Sequence, residues 1–88
     1  MKVELKKFGV ILTSRPAGRE AFNSAVAYIL DSKKDDEKIE IDFEGVQVLT
    51  PSWADEFISS LAKKYSGQVV LLPSENASVK ASLEFVKI

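Results

Sequence analysis

Between residues 39 and 65 the spacing of apolar residues changes period, and this change constrains the fold more than any other feature of the chain. Ile39, Ile41 and Phe43 alternate with Glu40, Asp42 and Glu44, the pattern of a strand with one buried face. Ala54, Phe57, Ile58, Leu61, Ala62 and Tyr65 then recur with helical spacing. A switch of period across a short loop marks a βα unit. In open α/β sheets, ligands and partners favour the crevice beyond the carboxyl ends of the strands, so Asp42 to Glu56 is where function is first sought.

The start of that helix can be framed in two ways. Thr50-Pro51 offers a hydroxyl cap followed by proline at the first helical position, and Ser52 to Asp55 offers an overlapping capping box. In either frame Ser52 lies in the first turn, where backbone N–H groups lack partners and the helix dipole is positive. Ser52 is then either a simple cap or a position where an added phosphate is favoured, by roughly 0.3–1 kcal/mol from the dipole.

The rest of the chain reads as short elements with short joints. Val3 and Leu5 alternate with charged residues, the phase breaks at Lys6-Lys7, and Phe8, Val10 and Leu12 resume it around Gly9. This predicts one or two strands with a turn or bulge near Lys7 to Gly9. A helix is expected from Pro16 to about Ser32, capped by Ser14, with Phe22, Ala25, Val26, Ile29 and Leu30 on its apolar face. Asp31 to Lys38 is a mixed-charge connector whose signs cancel, as in a solvated loop. Gln68 to Leu72 is a continuous β-favouring run, expected to be a strand buried on both faces or nearly so. Asn76 to Ile88 reads as a closing helix behind an asparagine cap. The expected fold is one α/β domain over residues 1–88: a mixed sheet with a parallel core and helices mainly on one face.

Composition excludes several function classes. A chain of 88 residues with 45% hydrophobic and 28% charged residues suits one small globular domain. Its net charge of −1 gives no long-range attraction to nucleic acid or to an anionic membrane. There is no run of 18 apolar residues and no signal-peptide core, and the absence of cysteine suits the cytoplasm. The absence of histidine removes the Ser-His-Asp triad and the usual zinc ligand sets. No phosphate-cradling glycine loop is present, so no enzymatic activity and no cofactor are expected.

Among the remaining candidates, Asp42, Glu44, Asp55 and Glu56 bracket the crevice and supply oxygen ligands of the kind Mg²⁺ prefers. Four acids near one loop are weak grounds in a chain with 13 of them, and no metal site is assigned. Arg15 and Arg19, four apart at a helix start, have the spacing to clamp a phosphate or carboxylate, or else simply pack over the sheet and pair with nearby acids. Trp53 lies four residues before Phe57, beside the apolar stripe. It is either a core residue closing the helix or, if exposed next to Ser52, an aromatic anchor for a partner.

The pattern Asp42-Phe43-Glu44-Gly45-Val46, followed by Ser52 and an apolar helix, resembles the signature of STAS domains, the family of anti-sigma-factor antagonists and sulfate-transporter tails. The segments Ser14-Arg15-Pro16-Ala17-Gly18-Arg19-Glu20 and Ser52-Trp53-Ala54-Asp55-Glu56 are similar to a narrower group, the STAS-like family of unknown function. Its members show Ser-Arg-x-x-Gly and later Ser-Phe-Ala-Asp-Glu; Trp53 stands here for the phenylalanine. The likeness covers about Leu12 to Leu72. It implies a STAS-like fold and a non-enzymatic regulatory module that binds a protein partner. It also implies phosphorylation at Ser52 by an anti-sigma-type, kinase-like ATPase, although the serine-glycine of the best-understood antagonists is absent. Thr50, Trp53, Asp55 and Glu56 are the expected partner-facing residues. The alternative function is a small-ligand or nucleotide-binding domain using Arg15, Arg19 and the helix N-termini.

Overall fold

The structure is a computed structural model that describes residues 1–86 and 88. Strand β1 (Lys2–Glu4) leads through a 3-10 turn (Leu5–Phe8) into β2 (Ile11–Leu12), and helix α1 (Arg15–Tyr28) follows. A second 3-10 turn (Leu30–Ser32) and the charged connector lead to β3 (Ile39–Asp42) and β4 (Val48–Leu49). Helix α2 spans residues 51–64, β5 is Val69–Leu71, and α3 is Ala77–Leu83. The strands form a three-stranded sheet in the order β1-β3-β5 and a two-stranded sheet of β2 and β4. Every described pairing is parallel, so the expected parallel core is present and no antiparallel pair of the expected mixed sheet is found among the described residues.

The N-terminal phase break becomes two strands in two sheets. The 3-10 turn between β1 and β2 lies beside the turn between β3 and β4, so both chain segments bend at the same level. Gly45 holds this registration: its φ is +85°, and a Cβ there would sit 3.1 Å from Cδ of Lys6. Asp42 stabilises the same turn. Its carboxylate accepts from the N–H of Glu44 at 3.1 Å and lies 3.7 Å from the ammonium of Lys2.

The core gathers Val3, Leu5, Ile39 and Ile41 from the sheet, Ala21 and Ala25 from α1, and Ala54, Phe57, Ile58 and Leu61 from α2. The opposite sheet face is open: Lys2, Glu40 and Val70 are in register across β1, β3 and β5, and all three are exposed. This corrects the expectation for Gln68 to Leu72. β5 is an edge strand with Val70 41% exposed, because the layer that would cover its outer face is absent among the described residues.

Capping residues were placed well by sequence. Ser14 accepts from the N–H of Ala17 and Asn76 from that of Val79. The closing helix is shorter than expected, ending at Leu83 with Phe85 exposed, and position 87 lies outside the described residues. No described helix is long and apolar enough to cross a membrane.

Helix α3 satisfies the outer edge of β4 with side chains. Asn76 donates to the carbonyls of Val46 and Gln47, Ser78 accepts from the N–H of Leu49, and buried Ser82 donates to the carbonyl of Leu49 at 2.6 Å. Ser82→Ala leaves that carbonyl without its buried donor. The expected loss is about 1–3 kcal/mol of stability, read from urea unfolding.

Candidate functional site

Strands β2 and β4 end side by side, and each opens directly into a helix. The N–H and hydroxyl of Thr50 both donate to the carbonyl of Leu12, at 3.0 and 3.2 Å, which fixes the start of α2 beside the start of α1. The Ser14-to-Glu20 and Ser52-to-Glu56 segments, 38 positions apart in the chain at their serines, therefore meet in space.

Gly18 is the point of closest approach. A Cβ there would lie 2.9 Å from the carbonyl oxygen of Trp53, 3.2 Å from its Cα and 3.1 Å from Cβ of Glu56. Above and below this contact the arginines clamp α2. Arg15 Nη1 donates to Asp55 Oδ2 and to Glu56 Oε2, both at 2.9 Å. Arg19 Nε donates to Glu56 Oε1 at 2.7 Å, and its guanidinium also lies over the ring of Phe22. The other oxygen of Asp55 accepts from Ser59 Oγ at 2.8 Å. The backbone of α2 is π-helical over Asp55–Ser59, the stretch that carries this network.

The electrostatics follow the geometry. The hydrogen bond from Arg15 is the main cause that holds the Glu56 carboxyl below the ordinary glutamate range; desolvation opposes it, and the lesser hydrogen bond from Arg19 adds to the lowering. The same bonds, to Asp55 first and Glu56 second, hold the Arg15 guanidinium further toward its charged form.

These contacts settle where each expected site residue lies. Thr50 is the cap of α2: its hydroxyl accepts from the N–H of Trp53 at 3.5 Å, and Pro51 takes the first helical position. Ser52 is exposed in the first turn, and no hydrogen bond of its hydroxyl is found among the described residues. The expectation of Trp53 as a partner-facing anchor is corrected. Its side chain is 1% exposed, stacked on Phe57 at 4.9 Å between centroids with Phe8 tilted against both. The apolar stripe of α2 carries it into the core. Asp55 and Glu56 are partly buried against α1, and Arg15 and Arg19, each about half exposed, are occupied by those two acids. Asp42 and Glu44 belong to the β3–β4 turn.

A family model described as STAS-like domain of unknown function (DUF4325) matches residues 26–79. The chain belongs to that family. No curated protein and no solved structure gives a match. The STAS-like match begins after the Ser14-to-Glu20 segment, yet the contacts make that segment part of the same site.

Sequence reasoning did not find Ser59, the π-helical stretch or the contact at Gly18. The last had a signal: an isolated glycine inside a helical pattern often marks close packing.

Two outcomes test this arrangement. In a helix, Gly→Ala ordinarily gains up to about 1 kcal/mol. At Gly18 the new methyl meets backbone atoms that cannot rotate away, and overpacking of this kind costs about 1–3 kcal/mol. Gly18→Ala is therefore expected to lower the urea midpoint, followed by the fluorescence of Trp53.

The second concerns pH. A carboxyl with a lowered folded-state pKa contributes stability that is complete above its ordinary range and is lost as pH falls through the folded value. The stability difference between wild type and Glu56→Gln is expected to be largest near neutrality and to shrink as the pH is taken below the ordinary glutamate range. A difference constant across that titration contradicts the assignment.

Proposed function

We propose that this STAS-like domain is a non-enzymatic, cytoplasmic regulatory module that binds a partner protein through the surface around Ser52, with phosphorylation of Ser52 as the switch. The observation that carries the reading is the division of labour at the start of α2. Thr50 performs the capping, which leaves the Ser52 hydroxyl exposed and without a structural duty.

A phosphate on Ser52 adds about −1.5 to −2 charge in the first turn of a helix, where the dipole favours it, so folding is little disturbed. Asp55 and Glu56 follow within the next turn, and although Arg15 offsets part of their charge, the modified surface becomes distinctly more negative. A docking partner with an acidic or apolar face is then released. The family resemblance suggests a kinase-like ATPase of the anti-sigma type as the modifying partner.

The small-ligand alternative has less support. Arg15 and Arg19 would have to exchange Asp55 and Glu56 for the ligand.

The test combines mass spectrometry and binding. Protein isolated from its native cells is expected to carry one phosphate, located at Ser52 and lost in Ser52→Ala. Ser52→Asp is expected to weaken binding to the protein partner that the wild type retains in a pull-down, with unfolding unchanged, whereas Ser52→Ala binds normally. The reading fails if no phosphate is found at Ser52, if both variants bind alike, or if Ser52→Asp unfolds the domain as readily as Phe57→Asp.

A further inference from the structure

Strand β2 is hydrogen-bonded to β4 on one side only. The N–H of Val48 donates to the carbonyl of Val10 and that of Thr50 to the carbonyl of Leu12, so the peptide groups of Val10 and Leu12 face β4. Peptide groups alternate along a strand, and those of Ile11 and the N–H of Thr13 therefore face away from it. Among the described residues they have no backbone partner. Ile11 is 60% exposed, and Val10 and Val48 beside it are also exposed.

Along this bare edge runs a groove of about 300 Å³ between β2 and α1. Its accessible apolar surface comes from half-buried Phe8 and exposed Ile11, with Leu12 and Trp53 buried beneath them. On the helix side it is lined by Ala17, Ala21 and Ser24, whose small side chains leave room for an incoming chain. Its single charged lining residue is Glu20, which has no ion-pair partner among the described residues.

We propose that this groove is a docking site for an extended segment of a partner protein, carrying apolar residues and a basic residue on one face, which adds to β2 as a further strand. Each feature has its counterpart in such a segment. The outward peptide groups of Ile11 and Thr13 supply main-chain hydrogen bonds. The apolar floor takes side chains from one face of the added strand, and Glu20, which lines the same groove, selects a lysine or arginine on that face.

A second copy of this chain is disfavoured as the occupant. Two-fold pairing of β2 with β2 brings two copies of Glu20 into one interface, acid against acid. The site is separate from Ser52 and does not depend on its phosphorylation.

The experiment is an array of octapeptides in which Val, Lys and Glu are permuted, probed with the full chain; the tightest binder is then followed by amide NMR. Peptides with Val and Lys two positions apart, on one face of a strand, are expected to bind, and those with Glu in place of Lys are not. Binding is expected to slow exchange of the Ile11 and Thr13 amides about tenfold or more, as pairing at an edge requires. Glu20→Lys, an exposed substitution, is expected to invert the preference toward Val and Glu. Ile11→Pro removes an edge N–H that β4 does not use, and is expected to abolish binding in a folded protein.

The proposal is overturned if no peptide on the array binds, if Lys and Glu peptides bind alike, or if the shifted amides lie away from β2 and α1. It is equally overturned if the free protein is a dimer whose Ile11 and Thr13 amides are already protected.

Discussion

The approach of Gly18 to the carbonyl of Trp53 sets the distance between α1 and α2, and the ion pairs and apolar layer between those helices depend on that distance. With the backbones this close, Arg15 and Arg19 reach Asp55 and Glu56 directly. A larger residue at position 18 would separate the helices and lengthen each of those bonds. The apolar layer beneath them, Ala21, Ala25, Ala54 and Ile58, is buried by the same approach. Exposed ion pairs contribute little by themselves, so the arginines act chiefly by fixing the relative position of two helices that packing already holds together.

Ser52 and Trp53 show how one helix turn separates two roles. Consecutive helical residues point about 100° apart. With Trp53 drawn into the aromatic cluster by Phe57 and Phe8, its neighbour is turned to solvent. The burial of Trp53 thus removes it as an anchor and at the same time presents Ser52. The cap supplied by Thr50 completes the arrangement, because it leaves the Ser52 hydroxyl out of the capping of α2.

The two edges of the β2–β4 sheet are treated differently. β4 has its outer backbone groups satisfied by Asn76, Ser78 and Ser82 of the α3 region. β2 has beside it only a groove, lined on the helix side by Ala17, Glu20, Ala21 and Ser24. Proteins usually shield a bare, apolar edge because it invites another strand, and here the shielding is confined to one side.

The period switch at Ile39 to Phe57 and the caps at Ser14 and Asn76 were legible in sequence because they are local, each depending on residues within one or two turns, whereas the choice between Thr50 and Ser52 as cap of α2 came from the structure. The same holds for the α/β class and for the surface position of Ser52. What tertiary structure alone decided concerns neighbours distant in the chain. Sequence left Trp53 as either core or anchor, and the packing of Phe8, 45 positions away, settled it. It left Arg15 and Arg19 as either a ligand clamp or partners of nearby acids, and the approach at Gly18 brought Asp55 and Glu56 to them. It made Gln68 to Leu72 look buried on both faces, because an apolar run records the hydrophobicity of a strand and not the number of layers laid against it.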